Sequence, residues 1–102
     1  MTTTFELLAD PTRRRVLDEL RKSECSVGEL VQRLGMKQPA VSKQLRVLRE
    51  AGLATVRVDA QRRIYRLSPD RLREVDDWLT PYRAFWEERL DALEQTLDSM
   101  ED

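Results

Sequence analysis

Residues 26–53 read SVGELVQRLGMKQPAVSKQLRVLREAGL, and this stretch decides the fold. Ser26 with Glu29 three places on has capping-box spacing, so a helix opens here. Val27, Leu30, Val31 and Leu34 recur at helical intervals and form its inward stripe. Gly35 ends it, because the residue after a helix often needs a left-handed backbone. Gly35-Met36-Lys37-Gln38 makes the turn, and a second helix runs from about Pro39 to Ala51. Val41, Leu45 and Leu48 are its buried stripe, and Gly52 stops it. Two short helices across a tight turn form a helix-turn-helix.

Beyond Gly52 the period changes. Ala54, Val56 and Val58 alternate with Thr55 and Arg57, the pattern of a strand. Asp59-Ala60-Gln61-Arg62 turns the chain, and Arg63–Leu67 returns as a second strand. Ser68-Pro69 then signals a last helical region reaching the C-terminus, which Thr80-Pro81 is expected to break or kink. On the other side, Asp10-Pro11 is an N-cap with proline at the first helical position. The helix it opens extends to about Lys22 and buries Val16, Leu17 and Leu20. A short helix over Thr4–Ala9 precedes it. The expected fold is mainly α with a β-hairpin wing, a winged helix-turn-helix that pairs into a dimer. With 102 residues the chain reads as one domain, 1–102, too short to bury a large core alone.

Composition removes several functions. The chain has one cysteine, Cys25, and no histidine, so metal sites and nucleophile–base pairs lose their usual ligands. Asp76-Asp77 reads as solvated helix surface, and no acid–base set converges, so an enzyme is not expected. No apolar run is long enough to span a membrane and the start lacks signal-peptide character, which predicts a cytoplasmic, nucleoid-associated protein. No cofactor is expected.

The net charge of −1 hides an asymmetry. Residues 1–68 hold 14 Lys and Arg against 8 Asp and Glu, whereas residues 69–102 hold 4 against 11. The segment 37–66 is the most basic, with eight cations against only Glu50 and Asp59. A basic stretch inside an acidic chain suits a local polyanion-binding face.

On the second helix of the motif, Gln38, Ser42, Lys43, Arg46 and Arg49 point away from the buried stripe. Such groups suit a DNA groove, glutamine pairing with adenine edges and arginine or lysine with guanine or phosphate. Arg62 and Arg63 of the hairpin would contact phosphates or the minor groove. Any amphipathic surface helix carries some of these groups; the ordered combination of brace helix, turn, second helix and basic hairpin points to double-stranded DNA.

Leu8-Ala9-Asp10-Pro11-Thr12-Arg13-Arg14-Arg15-Val16-Leu17, Val27-Gly28-Glu29-Leu30, Gln38-Pro39-Ala40-Val41-Ser42-Lys43-Gln44-Leu45, Leu48-Arg49-Glu50-Ala51-Gly52-Leu53 and Arg62-Arg63-Ile64-Tyr65-Arg66-Leu67 together resemble the ArsR/SmtB family of regulators over about residues 5–79. The resemblance implies a sequence-specific, homodimeric repressor that leaves an inverted-repeat operator when a signal binds. It also places Gln38, Ser42, Lys43 and Gln44 at groove-reading positions, with Gln44 where many members have histidine. Ala60 stands where a turn glycine is common.

A metal-sensing role is not expected. The family's thiolate pair maps to Ser26 and Gly28, and its interface site needs histidines the chain lacks. Glu87, Asp91, Glu94 and Asp98 read as a solvated acidic face. Cys25 is expected to be a small apolar residue, the other reading being a redox-sensing thiol, which Glu24 beside it would disfavour. Phe5, Leu8, Trp78, Leu79, Tyr82, Phe85, Trp86, Leu90 and Leu93, continued by Leu97, read as a dimer interface, or as an aromatic pocket for an unknown apolar effector. The alternative to DNA binding is a winged-helix protein-interaction module, which need not be basic on the groove face.

Overall fold

The computed structural model describes residues 2–100. Five α-helices and three short strands follow in the order α1 (Thr4–Leu8), α2 (Pro11–Lys22), β1 (Cys25–Ser26), α3 (Val27–Leu34), α4 (Gln38–Glu50), β2 (Ala54–Asp59), β3 (Arg62–Leu67) and α5 (Arg73–Met100). A 3-10 turn at Asp70–Leu72 leads into α5.

Local chemistry sets the boundaries. The Asp10 carboxylate accepts from the amides of Thr12 and Arg13 and caps α2, with Pro11 in its first turn. Ser26 and Glu29 form the capping box of α3, and Gly35 closes that helix at φ 63°. The end of α4 is a Schellman motif. Leu53 N donates to Leu48 O at 2.8 Å and Gly52 N to Arg49 O at 3.1 Å, with Gly52 at φ 80°. Leu48 and Leu53, brought together by that motif, are both fully buried.

The sheet order is β1-β3-β2, antiparallel throughout. Ala54 pairs with Leu67 and Asp59 with Arg62, so the wing is a hairpin with the two-residue loop Ala60-Gln61. Strand β1, absent from the sequence reading, pairs Cys25 with Tyr65 and Ser26 with Ile64. Two residues carry no detectable period; only the partner strand makes them a strand.

The core gathers Val16, Leu17 and Leu20 of α2, Leu30 and Leu34 of α3, and Val41, Leu45 and Leu48 of α4, closed by Leu7, Leu53 and Tyr65. Burying each such leucine contributes about 2 kcal/mol. This packing holds the two helices of the motif against α2 and leaves the far side of α4 open.

Helix α5 departs from expectation. It runs unbroken from Arg73 to Met100 with Pro81 inside it. Pro81 cannot donate to the carbonyl of Asp77, but Asp77 is exposed and water can satisfy it. None of the 28 residues of α5 is buried. The molecule extends 65 Å along its longest axis, against 32 and 21 Å across.

Candidate nucleic-acid interface

On a wheel of about 100° per residue the side chains of α4 separate into two arcs. Val41, Leu45 and Leu48 are buried, whereas Gln38, Ser42, Lys43, Arg46 and Arg49 are exposed. Arg46 also pairs with Glu50 on the same arc, Nε to Oε1 at 3.1 Å, one turn away. Lys43 and Arg49 have no ion-pair partner among the described residues. The helix therefore presents a polar, cationic face with its N-terminal end, Gln38, at the tip.

Gln44 is the exception. It lies on the edge of the buried arc and is half-buried. Its Oε1 accepts from Arg13 Nε at 3.0 Å and its Nε2 donates to Asp10 Oδ2 at 3.3 Å. The amide thus ties α4 to the cap of α2 and does not stand with Gln38 and Ser42. Its wheel position, three residues from Val41 and one from Leu45, carried that signal already.

The wing adds Arg62 and Arg63, both exposed. Arg62 Nη2 donates to Glu29 Oε1 at 2.7 Å, which ties the wing to the first turn of α3. Arg57 pairs with Glu24 at 2.7 Å, and that bond holds its guanidinium protonated above its usual range. Ala60, at the hairpin tip, has φ 57°, the left-handed region where a turn glycine is at ease.

Glu29 accepts from the Ser26 amide and hydroxyl, and these bonds hold its carboxyl below the usual range against a partial desolvation; Arg62 and Arg33 act in the same direction. At Asp10 desolvation opposes ionisation. The amides of Thr12 and Arg13, the Gln44 amide and the Arg13 charge outweigh it and bring the carboxyl below its ordinary value.

Cys25 is fully buried. Its Sγ donates to Ser23 O at 3.1 Å and accepts from Arg33 Nη1 at 3.0 Å. The charge beside the sulfur is thus a guanidinium, not Glu24, which is turned toward Arg57. Reaction with an oxidant needs access that this position lacks. Among the described residues no group of three His, Cys, Asp or Glu side chains is placed to hold a metal ion.

The interface candidates divide. Phe5, Trp78, Tyr82, Phe85, Trp86, Leu90 and Leu93 stand exposed on α1 and α5, Phe5 meeting Trp78 edge-on at 5.7 Å. Leu8 packs against the molecule's own core, and Leu79 is half-buried. Leu97 and Met100 prolong the exposed stripe.

Comparison with known proteins follows the same outline. Residues 10–56 match the model of the bacterial regulatory protein, arsR family. The chain is 37% identical over 95 residues to the HTH-type transcriptional regulator Rv2034 of Mycobacterium tuberculosis, covering 93% of this chain and 86% of that protein. This chain belongs to the arsR family of bacterial regulatory proteins. The family's activity is its own: it is a winged helix-turn-helix, DNA-binding transcriptional regulator. It is also 45% identical over 67 residues to the biofilm growth-associated repressor of Agrobacterium fabrum, spanning 66% of this chain and 57% of that protein. A crystal structure described as a possible transcriptional regulator for arsenical resistance superposes with a TM-score of 0.69 at 38% identity, over 91% of this chain and 94% of that one. Among the described residues no helix of this arsR-family protein is long and apolar enough to cross a membrane.

Proposed function

We propose that this arsR-family regulator is a homodimeric repressor that occupies an inverted-repeat operator. The observation that carries the reading is the presence of two exposed faces of different character. A polar cationic face on α4 has no cover, and an apolar stripe along α5 has none either. In the stripe, Trp78, Tyr82, Phe85 and Trp86 are all about half exposed, from 46% to 53%. A second copy is the partner that would cover a stripe of this length on both sides of a two-fold axis. Residues 1–102 then act as one unit, with 37–66 for the groove and 69–102 for pairing.

A two-fold pair sets two α4 helices about one turn of DNA apart, roughly 34–36 Å, and so asks for an inverted repeat. Gln38 and Ser42 would meet base edges, while Lys43, Arg46, Arg49, Arg62 and Arg63 would meet phosphates or guanines. Repression needs only occupancy of a promoter, and several relatives carry the name repressor. No catalytic group takes part.

The test is selection of bound duplexes from a randomised 30-base-pair library by the purified protein, followed by titration at several salt concentrations. An enriched inverted repeat, bound more weakly as salt rises and lost with Arg46→Ala, is the expected result. Binding with no enriched sequence would make the protein architectural, and no binding at all would leave a protein-interaction module.

A further inference from the structure

Arg71, in the 3-10 turn before α5, donates three hydrogen bonds to two different segments, the end of α4 and the start of α1. Its Nη1 reaches Ala51 O, the carbonyl at the end of α4, at 2.7 Å. Its Nε reaches Thr4 Oγ1 in α1 at 2.8 Å, and its Nη2 reaches Thr2 O, just before α1, at 2.7 Å. Thr4 is the one buried polar residue among the described residues, and its hydroxyl in turn donates to Glu74 Oε2 in the first turn of α5 at 3.1 Å. One guanidinium therefore joins the end of the DNA-facing helix to the two elements that carry the apolar stripe.

This joint differs in kind from the apolar contacts of α4, and it is separate from the Gln44 bonds to Arg13 and Asp10. Val41, Leu45 and Leu48 hold the helix by apolar packing, which tolerates small rotations at little cost. A guanidinium is a planar fork with fixed donor directions, and all three of its nitrogens are engaged here. The Schellman turn leaves the Ala51 carbonyl free to accept, because its two motif bonds end on Leu48 and Arg49. Position matters because α4 is a lever. Its 13 residues span about 20 Å, so a 10° swing about the Ala51 end displaces Gln38 by about 3 Å.

We propose that Arg71 is a positioning residue for DNA recognition. It locks the end of α4 to α1 and to the start of α5, and so sets the angle and separation at which a dimer presents its two α4 helices. The proposal rests on the dimeric, groove-reading function above. It makes the spacing of half-sites, and not the reading of each half-site, the quantity that Arg71 controls.

The experiment uses the duplex that the wild-type protein selects, the same duplex with one or two base pairs inserted at its centre, and a duplex holding a single half-site. Each inserted pair moves the half-sites by about 3.4 Å and turns them by about 34°. Fluorescence anisotropy of labelled duplexes is compared for the wild type, Arg71→Met, Arg71→Lys and Thr4→Val, with sedimentation equilibrium reporting the dimer. The wild type should lose about tenfold or more in affinity on a one-pair insertion, and Arg71→Met less than about threefold, because loosened helices still engage both halves. Single half-site affinity should be unchanged, and Arg71→Lys should restore part of the spacing preference. Thr4→Val, which keeps the buried volume and removes the central acceptor, should follow Arg71→Met even if that variant folds poorly. Equal spacing preference in folded, dimeric Arg71→Met or Thr4→Val overturns the inference alone. If the wild type enriches no duplex, the groove-reading function falls and the inference falls with it.

Discussion

Arg62 of the wing and Glu29 of the brace helix meet through one oxygen, Glu29 Oε1, which lies 2.7 Å from the guanidinium and also closes the capping box of α3. The same atom accepts from Ser26 N at 3.2 Å and Ser26 Oγ at 3.0 Å. On the proposed function, Arg62 would have to leave this carboxylate to meet phosphate. Glu29→Gln keeps an acceptor for Ser26 but releases Arg62. The pair is partly exposed and screened by solvent, and the amide still accepts from Ser26, so melting should fall only slightly. DNA affinity at low salt should rise by about two- to fivefold, with the gap closing as salt screens the freed charge. Unchanged affinity at low salt would mean that Arg62 does not meet DNA.

Acid should loosen this cap and that of α2. Glu29 and Asp10 are both held below their ordinary carboxyl values in the folded chain. A lowered folded value contributes stability that is complete above the unfolded value and is lost as pH falls through the folded one. Urea midpoints measured from neutral pH downward should therefore hold steady until the ordinary carboxyl range and then decline. The double variant Asp10→Asn, Glu29→Gln should start lower and decline less steeply. Parallel curves would show that other carboxyls govern the acid limb.

Gln44 spans Arg13 and Asp10, so Gln44→Ala removes two bonds at the junction of α2 and α4. The expected cost is about 1 kcal/mol of stability, read by chemical denaturation. The duplex selected from a random library should be the same as for the wild type. A changed preference at one base position would put Gln44 in the groove after all.

Ala60 carries a Cβ at φ 57°, where left-handed backbone disfavours every residue but glycine. Ala60→Gly should stabilise the chain by about 0.5–1 kcal/mol, the relief exceeding the added entropy of the unfolded state. Thermal melting reads the gain. A loss would show that the tip does not hold this conformation in solution.

Tyr82 and Trp86 are 46% and 51% exposed on the face of α5 that the second copy should cover. Tyr82→Asp with Trp86→Asp should yield monomers in sedimentation, with helix content lowered because an unpacked α5 frays. Operator affinity should drop with the loss of the paired half-site. A variant still dimeric at micromolar concentration places the interface elsewhere.

Some of this molecule was legible in residue order. Asp10-Pro11, Ser26 with Glu29, Gly35 and Gly52 mark helix ends through side-chain caps and left-handed backbone, which are local effects. For that reason α2 begins at Pro11 and ends at Lys22 as its pattern predicts. The alternation of Ala54, Val56 and Val58 likewise foretold β2. Proline was the weaker sign. Pro81 removes one hydrogen bond, and in an exposed helix the loss is insufficient to end it.

What the amino-acid order determined by itself is the helices and the hairpin, the cationic face of α4 and the apolar stripe of α5. Each follows from interactions within one turn or from a repeat along one element. Tertiary structure alone decided the rest. It made Cys25-Ser26 a strand by laying it beside Tyr65 and Ile64. It turned Gln44 inward to Arg13 and Asp10, brought Arg62 to Glu29, and set the Arg71 guanidinium between Ala51, Thr2 and Thr4. Such bonds join residues between 20 and 69 positions apart. Hydrogen bonds depend on direction over a few tenths of an ångström, a precision that apolar spacing along a chain does not encode.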